Sequence, residues 1–214
     1  MKEGQTYCLF PTPVHHNNIG HNFKVEVNDL TACYDSTIGP GSFDKPNGFI
    51  TEDQNYLLRE ENTLLRQKLE EVIDIYLRQH LRINKKVSIK HQCSWGLLHK
   101  RGHSSPKHYH RNSWLSGVYY FQVNENSGDF EVTATAPYGW TCNSMAPFDA
   151  IEEYNALTNR SVTFHPKRGD VFLFPSHLEH HSYINNSEED RIAVGFNYTL
   201  TGSWGGMAGR INLS

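Results

Sequence analysis

The sequence contains no apolar run approaching the roughly 20 residues that a membrane-crossing helix needs, so a helical membrane span is not expected. Cysteine is sparse. Cys8, Cys33, Cys93 and Cys142 are scattered, with no C-x-x-C pair. This excludes a disulfide framework and a dithiol redox motif, and it favours reduced thiols over a structural zinc site. A strong charge of either sign is also missing. Twenty Lys and Arg against 23 Asp and Glu give a formal net charge of −3, which provides no general pull toward nucleic acid or an anionic membrane. Neither is expected as a partner. The opening Met-Lys-Glu-Gly-Gln lacks the apolar core of a secretion signal, so the expected location is the cytoplasm. There are no repeats, and only the Gly-rich tail 202–209 is of low complexity.

What is present suits one β-rich domain. A chain of 214 residues is long enough to bury a real core, and the 12% aromatic content includes 11 Tyr and 11 Phe. Residues 1–50 are rich in Pro and Gly and read as loops around one short alternating strand, Asn22–Asn28. Thr51-Glu-Asp-Gln54 has a capping-box pattern. Leu58, Leu65, Leu69, Val72, Ile73, Tyr76 and Leu77 follow at three- and four-residue spacings. Together they predict one long amphipathic helix over 51–82, with its apolar stripe covering a face of the β domain.

From residue 86 the pattern becomes extended. Strands are expected at 86–90, 114–123, 129–135, 161–164, 170–174 and 191–200, with the second and third forming a hairpin about Asn124–Gly128. The long Pro-, Gly- and aromatic-rich stretch 136–159 reads as a lid or binding loop. The tail after 201 reads as flexible or draped over the barrel.

Thirteen histidines are present, so a single H-x-H pair carries little weight. The order is more informative: His108-Tyr-His110, a β segment, Gly169-Asp followed by an apolar run and Pro175, His180, then Arg191 on the last strand. On an extended backbone His108 and His110 point to one face. A third imidazole from a distant strand could close a triangle around iron or zinc and leave positions open for chemistry. His181 would point away from His180, so one of that pair is the candidate ligand.

Arg191 shares strand parity with Ala193, Gly195 and Asn197. A buried Arg among small residues needs an anionic partner. A ligand carboxylate would meet that need with a bidentate fork, and so would a protein carboxylate. Small Gly195 would leave room beside the Arg for a ligand. His99-Lys-Arg-Gly-His103, Lys107 and Arg111 put positive charge near the presumed mouth, which reads either as a solvated face or as a bias toward anionic ligands.

Several stretches carry a family resemblance: Leu9-Phe-Pro-Thr-Pro-Val14, Ser94-Trp95, His108-x-His110 through Leu115-Ser-Gly-Val-Tyr-Tyr120, Gly169-Asp-Val-Phe-Leu-Phe-Pro-Ser176, Leu178-Glu-His180, and Asp190-Arg-Ile through Phe196-Asn197. Over residues 90–200 the chain resembles the 2-oxoglutarate/Fe(II)-dependent dioxygenases, and more narrowly a branch found in bacteria and marine bacteriophages. The resemblance implies a mainly β, double-stranded β-helix (jelly-roll, cupin-like) domain over 86–200, supported by the helix. It implies Fe(II) held by His108, His110 and His180, with Arg191 anchoring the far carboxylate of 2-oxoglutarate, Tyr120 supplying a hydroxyl to it, and Ser116 nearby. The activity implied is hydroxylation of an unidentified small-molecule or protein substrate, coupled to conversion of 2-oxoglutarate to succinate and CO2. For a phage-encoded chain the location would be the host cytoplasm. A homodimer stays open.

One departure matters. Most of that superfamily presents His-x-Asp or His-x-Glu, whereas position 110 here is histidine. Either His110 is a ligand, which is the favoured reading, or a carboxylate or water takes that place. Two rivals therefore stand beside the dioxygenase: a three-histidine cupin-type enzyme that does not use 2-oxoglutarate, and an inert barrel module.

Overall fold

Alternation of side chains along extended segments divides this chain into an inner and an outer core, and the strand pairing makes the division possible. The computed structural model describes residues 11–33, 47–134, 152, 153, 155, 159–206 and 209–213. The strands are β1 (His15–Asn18), β2 (Leu30–Cys33), β3 (Gly48–Thr51), β4 (Val87–His99), β5 (Ser105–His108), β6 (Leu115–Gln122), β7 (Phe130–Thr133), β8 (Ser161–Phe164), β9 (Asp170–Pro175), β10 (Glu179–Ser182), β11 (Arg191–Trp204) and β12 (Ile211–Leu213). They form a larger sheet ordered β1-β9-β6-β11-β4-β3-β2, with β12 on β11, and a smaller one ordered β5-β10-β7-β8. Every pairing between these strands is antiparallel. The expected mainly β, double-stranded β-helix architecture with one long helix is what the chain adopts.

The helix α1 (Thr63–Ile75) continues into a π-helical turn at Tyr76–His80. No Gly or Pro interrupts it, and Leu65, Leu69, Val72, Ile73, Tyr76 and Leu77 are all buried. They pack on Tyr119, Val171, Leu173, Val194, Phe196 and Tyr198, the outer face of the larger sheet. Residues two apart on a strand share a face, so the same strands turn Arg191, Ala193 and Gly195 the other way, between the sheets. There Tyr120, Phe130, Val132, Phe172, Phe174, Leu178 and Ala193 form the second core. Arg78 pins the end of the helix, donating to the carbonyls of Ile83, Asn84 and Val87.

Four expectations need correction. The helix starts at Thr63 rather than Thr51. Thr51 closes β3, where its hydroxyl accepts from the Gly96 amide and donates to the Asp53 carbonyl, so the capping pattern is used in a turn. Two 3-10 turns precede the helix, and Leu58 lies exposed within the first. Asn22–Asn28 has the alternating burial of a strand, with Val25 buried, but it pairs with no sheet. The segment 124–128 does not close a hairpin. β6 belongs to the larger sheet and β7 to the smaller, so this turn carries the chain from one sheet to the other. The tail is not loose throughout, because β11 runs on to Trp204 and β12 pairs back on it. The lid expected at 136–159 lies almost entirely outside the described residues. Within the described residues, no helix is long and apolar enough to cross a membrane.

Candidate metal centre and cavity

The antiparallel pairing of β5 with β10 sets His180 directly across from His108. Their rings lie 4.4 Å apart between centroids. His110 follows two residues after His108, and its amide donates to the Ser176 carbonyl. Its ring reaches 5.0 Å from His108 and 5.1 Å from His180, while Tyr109 between them points outward and is exposed. One nitrogen from each of the three rings falls within 4.8 Å of the others, and among the described residues no carboxylate or thiol joins the group.

Hydrogen bonding prepares two of these rings for a metal. His108 Nδ1 lies 2.7 Å from the Pro106 carbonyl and His180 Nδ1 lies 2.9 Å from the Leu178 carbonyl. A carbonyl can only accept, so each Nδ1 carries the proton and each Nε2 keeps its lone pair. Burial, reinforced by the neighbouring His108, pushes His180 down to about 3 and His110 down to about 4. Neutral imidazoles are the form that binds a metal, so the donor set fits Fe(II). His181 turns away, as its neighbour's role requires, toward Tyr183 and Glu131.

The triad opens into a cavity of about 300 Å³ between the sheets, at the lower end of the usual size for small-molecule sites. Its walls are largely apolar, with Phe49, Trp95, Leu97, Val118, Phe130 and Phe174 prominent, and Tyr120, His99 and Arg191 also face it. Arg191 is 1% exposed. Its Nη1 donates to the carbonyls of Ser127, Gly128 and Tyr183, and its Nη2 donates to Ser182 Oγ at 2.7 Å. No carboxylate of the described residues pairs with it, and burial alone pulls its pKa below the usual value. The backbone therefore holds one end of the guanidinium, and among the described residues Nε and the second Nη2 proton have no partner. Tyr120, from the neighbouring strand, has its phenol pushed up by burial, and its hydroxyl has no hydrogen-bond partner among the described residues.

Two expected features differ. Ser116 does not line the cavity: its Oγ bonds to Asn197 Oδ1 at 2.7 Å and Ser176 Oγ at 2.9 Å inside the wall. Gly195 does line the cavity, but the space its missing side chain leaves is taken by Trp95, because a Cβ there would come within 2.6 Å of the indole. The glycine exists to seat Trp95, whose ring reaches 5.5 Å from His110. The basic residues near the mouth are mostly engaged locally, Arg101 with Glu188, Lys107 with Thr133 Oγ1, and Arg111 over the Tyr109 ring. Ser182 was missed by the sequence reading, although it lies two residues after His180 on one strand, a spacing that places both on the same face.

Residues 93–197, the stretch that carries the triad and Arg191, match the family described as "Putative 2OG-Fe(II) oxygenase". No curated protein matches by sequence. Among solved structures, the non-heme alpha ketoglutarate dependent epimerase SnoN from nogalamycin biosynthesis is 12% identical, with 81% of this chain and 69% of that one covered and a TM-score of 0.54. AviO1 from Streptomyces viridochromogenes Tue57 is 15% identical over 82% of this chain and 75% of its own, with a TM-score of 0.50. A 2OG-Fe(II) oxygenase family oxidoreductase from Burkholderia pseudomallei is 10% identical over 71% and 68%, also at 0.50. At such identities the likeness establishes the fold alone, and the sequence match over 93–197 carries the rest. Over residues 93–197 the chain is similar in sequence to the 2-oxoglutarate/Fe(II)-dependent oxygenases, enzymes whose cofactors are Fe(II) and 2-oxoglutarate.

Proposed function

We propose that this chain hydroxylates a small-molecule or protein substrate at a C–H bond, with His108, His110 and His180 holding Fe(II) and with Arg191 and Tyr120 holding the far carboxylate of 2-oxoglutarate. The observation that carries this reading is Arg191. It is a buried cation on the wall of the same cavity as the triad, with no protein carboxylate among the described residues and one donor edge unfilled. An uncompensated buried charge is costly, and a dicarboxylate entering the cavity would relieve it.

When bound, the iron supplies the redox chemistry that couples 2-oxoglutarate and O2 to oxidation of a substrate. The chain's residues do the positioning. The carbonyls of Pro106 and Leu178 fix the tautomers of His108 and His180. The carbonyls of Ser127, Gly128 and Tyr183 fix the guanidinium plane, so its remaining donors meet a carboxylate as a preset fork. Phe130, edge-on to His180, and Phe174, tilted against it, wall the inner end with apolar rings. Ser116 keeps its place in the wall by bonding to Asn197 rather than to a ligand.

The test is uncoupled turnover. Fe(II)-loaded protein given 2-oxoglutarate and O2, but no other substrate, should release succinate slowly. Arg191→Met should abolish that release at the same 2-oxoglutarate concentration. An iron-loaded wild type that consumes no 2-oxoglutarate under any condition would contradict the reading.

A further inference from the structure

His99 ends β4 directly across from Arg191 on β11. It faces the cavity wall yet is only 4% exposed. One edge of its ring is fixed: Nε2 lies 3.2 Å from Ser105 Oγ, and a Cβ on Gly48 would come within 2.6 Å of Cδ2 and 2.7 Å of Nε2. The opposite edge carries Nδ1, which is buried and has no partner among the described residues. A buried polar nitrogen left unsatisfied costs stability, and such groups in native proteins mark a ligand, an ion or a functional demand. Its surroundings also disfavour a charged imidazole, first through burial and then through the positive charge of Arg191.

Ser105 links this histidine to Arg191 by a second route. The Ser105 amide donates to Ser182 Oγ, the same oxygen that accepts from Arg191 Nη2. Four strands thus meet in one polar patch: His99 from β4, Ser105 from β5, Ser182 from β10 and Arg191 from β11. The groups left unfilled in it are His99 Nδ1, buried just behind the cavity wall, and on the cavity side the free edge of Arg191 and the Tyr120 hydroxyl. If the Ser105 hydroxyl donates to Nε2, the ring proton resides on Nδ1 and that atom becomes a donor.

We propose that His99 is a positioning residue of the cosubstrate end of the cavity, donating from Nδ1 to the far carboxylate of 2-oxoglutarate beside Arg191, with Ser105 setting its tautomer. This rests on the reading of Arg191 above. A carboxylate offers about four lone-pair sites; the Arg191 fork takes two, Tyr120 one and His99 one. Gly48 is glycine because any side chain would displace the imidazole from this seat.

The experiment compares two keto acids by anaerobic titration of the Fe(II)-loaded protein: 2-oxoglutarate, and 2-oxobutanoate, which keeps the keto-acid head but lacks the far carboxylate. Loss of one hydrogen bond to a charged group should weaken binding roughly tenfold. His99→Phe should therefore raise the Kd for 2-oxoglutarate roughly tenfold and leave that for 2-oxobutanoate unchanged. His99→Asn, whose amide nitrogen can stand where Nδ1 stands, should recover most of the loss. A third readout needs no variant: with Zn(II) in place of iron, addition of 2-oxoglutarate should bring out a protected Nδ1–H resonance for His99 in 1H–15N spectra, and 2-oxobutanoate should not. If Arg191→Met loses 2-oxoglutarate while His99→Phe binds it like wild type, His99 is a packing residue and the proposal is overturned with the Arg191 reading intact. If Phe and Asn lose binding equally and the resonance does not respond, shape rather than the N–H is what counts, and the proposal again fails. If Arg191→Met also binds normally, the Arg191 reading itself is wrong.

Discussion

His108 and His180 face each other across the β5–β10 pairing, and each directs its Nδ1 to the backbone carbonyl two residues before it, Pro106 and Leu178. The two rings are held in the same tautomer by the same local device, so both lone pairs are set before a metal arrives. Replacing either residue by Ala should therefore remove tight Fe(II) binding, a loss of at least about tenfold in affinity. His110→Ala should weaken it by a similar factor, because His110 completes the triangle. His110→Asp should restore iron binding and add a negative charge to the site. Metal stoichiometry after desalting checks all four variants, and full iron retention by His110→Ala would remove His110 from the ligand set.

Arg191 offers a second test. Arg191→Lys keeps the charge but loses the planar fork and the bonds that fix it. The Kd for 2-oxoglutarate should rise appreciably. Arg191→Ala should cost more, about 2–5 kcal/mol of binding if the contact is well desolvated, with iron affinity little changed. Titration of 2-oxoglutarate into each iron-loaded variant provides the measurement. Wild-type binding by both, in folded protein, would make Arg191 a structural residue.

Stability of the metal-free protein should fall with acid before carboxylates begin to titrate. Burial, then the charge of Arg191, push His99 down to about 3, and burial holds His110 and His180 near 4 and 3. In the unfolded chain each returns to its ordinary value of about 6.5. Between those limits the unfolded state binds more protons than the native state, so stability rises with pH across the window. The contribution is fully present above the unfolded value and is lost as pH falls toward the folded values. Thermal midpoints at pH 7.5, 6.5 and 5.5 should therefore decline in that order, with a shallower decline for His99→Asn. A flat or rising series would contradict the neutral, buried state of these rings.

Much of this arrangement was legible in the sequence because strand periodicity is local. The parity that sets Arg191, Ala193 and Gly195 on one face, and Val194, Phe196 and Tyr198 on the other, needs only a period of two. The stripe from Leu65 to Leu77 needs only the helical repeat. Pairing is not local, and the misreadings follow from that. Asn124–Gly128 has the composition of a hairpin turn, yet Phe130 finds its partners in the other sheet. Asn22–Asn28 alternates, yet it pairs with neither sheet. Thr51 and Gln54 spell a helix cap, but the sheet claims Thr51. Gly195 looked like room for a ligand until Trp95, a hundred residues earlier, came to rest on it. His99 was read as part of a charged run, and only its register opposite Arg191 brings it to the cavity.

The central claim is that the triad and Arg191 form one site that takes up iron and 2-oxoglutarate together. Anaerobic titration followed by visible absorption tests it most directly, because a keto acid that chelates Fe(II) gives a charge-transfer band that neither component shows alone. The account predicts that 2-oxoglutarate added to the Fe(II)-loaded protein produces this band with saturation at one equivalent per chain, and that Arg191→Ala shifts saturation to much higher concentration without lowering the iron content. A fully iron-loaded wild type that shows no band at millimolar 2-oxoglutarate would contradict it.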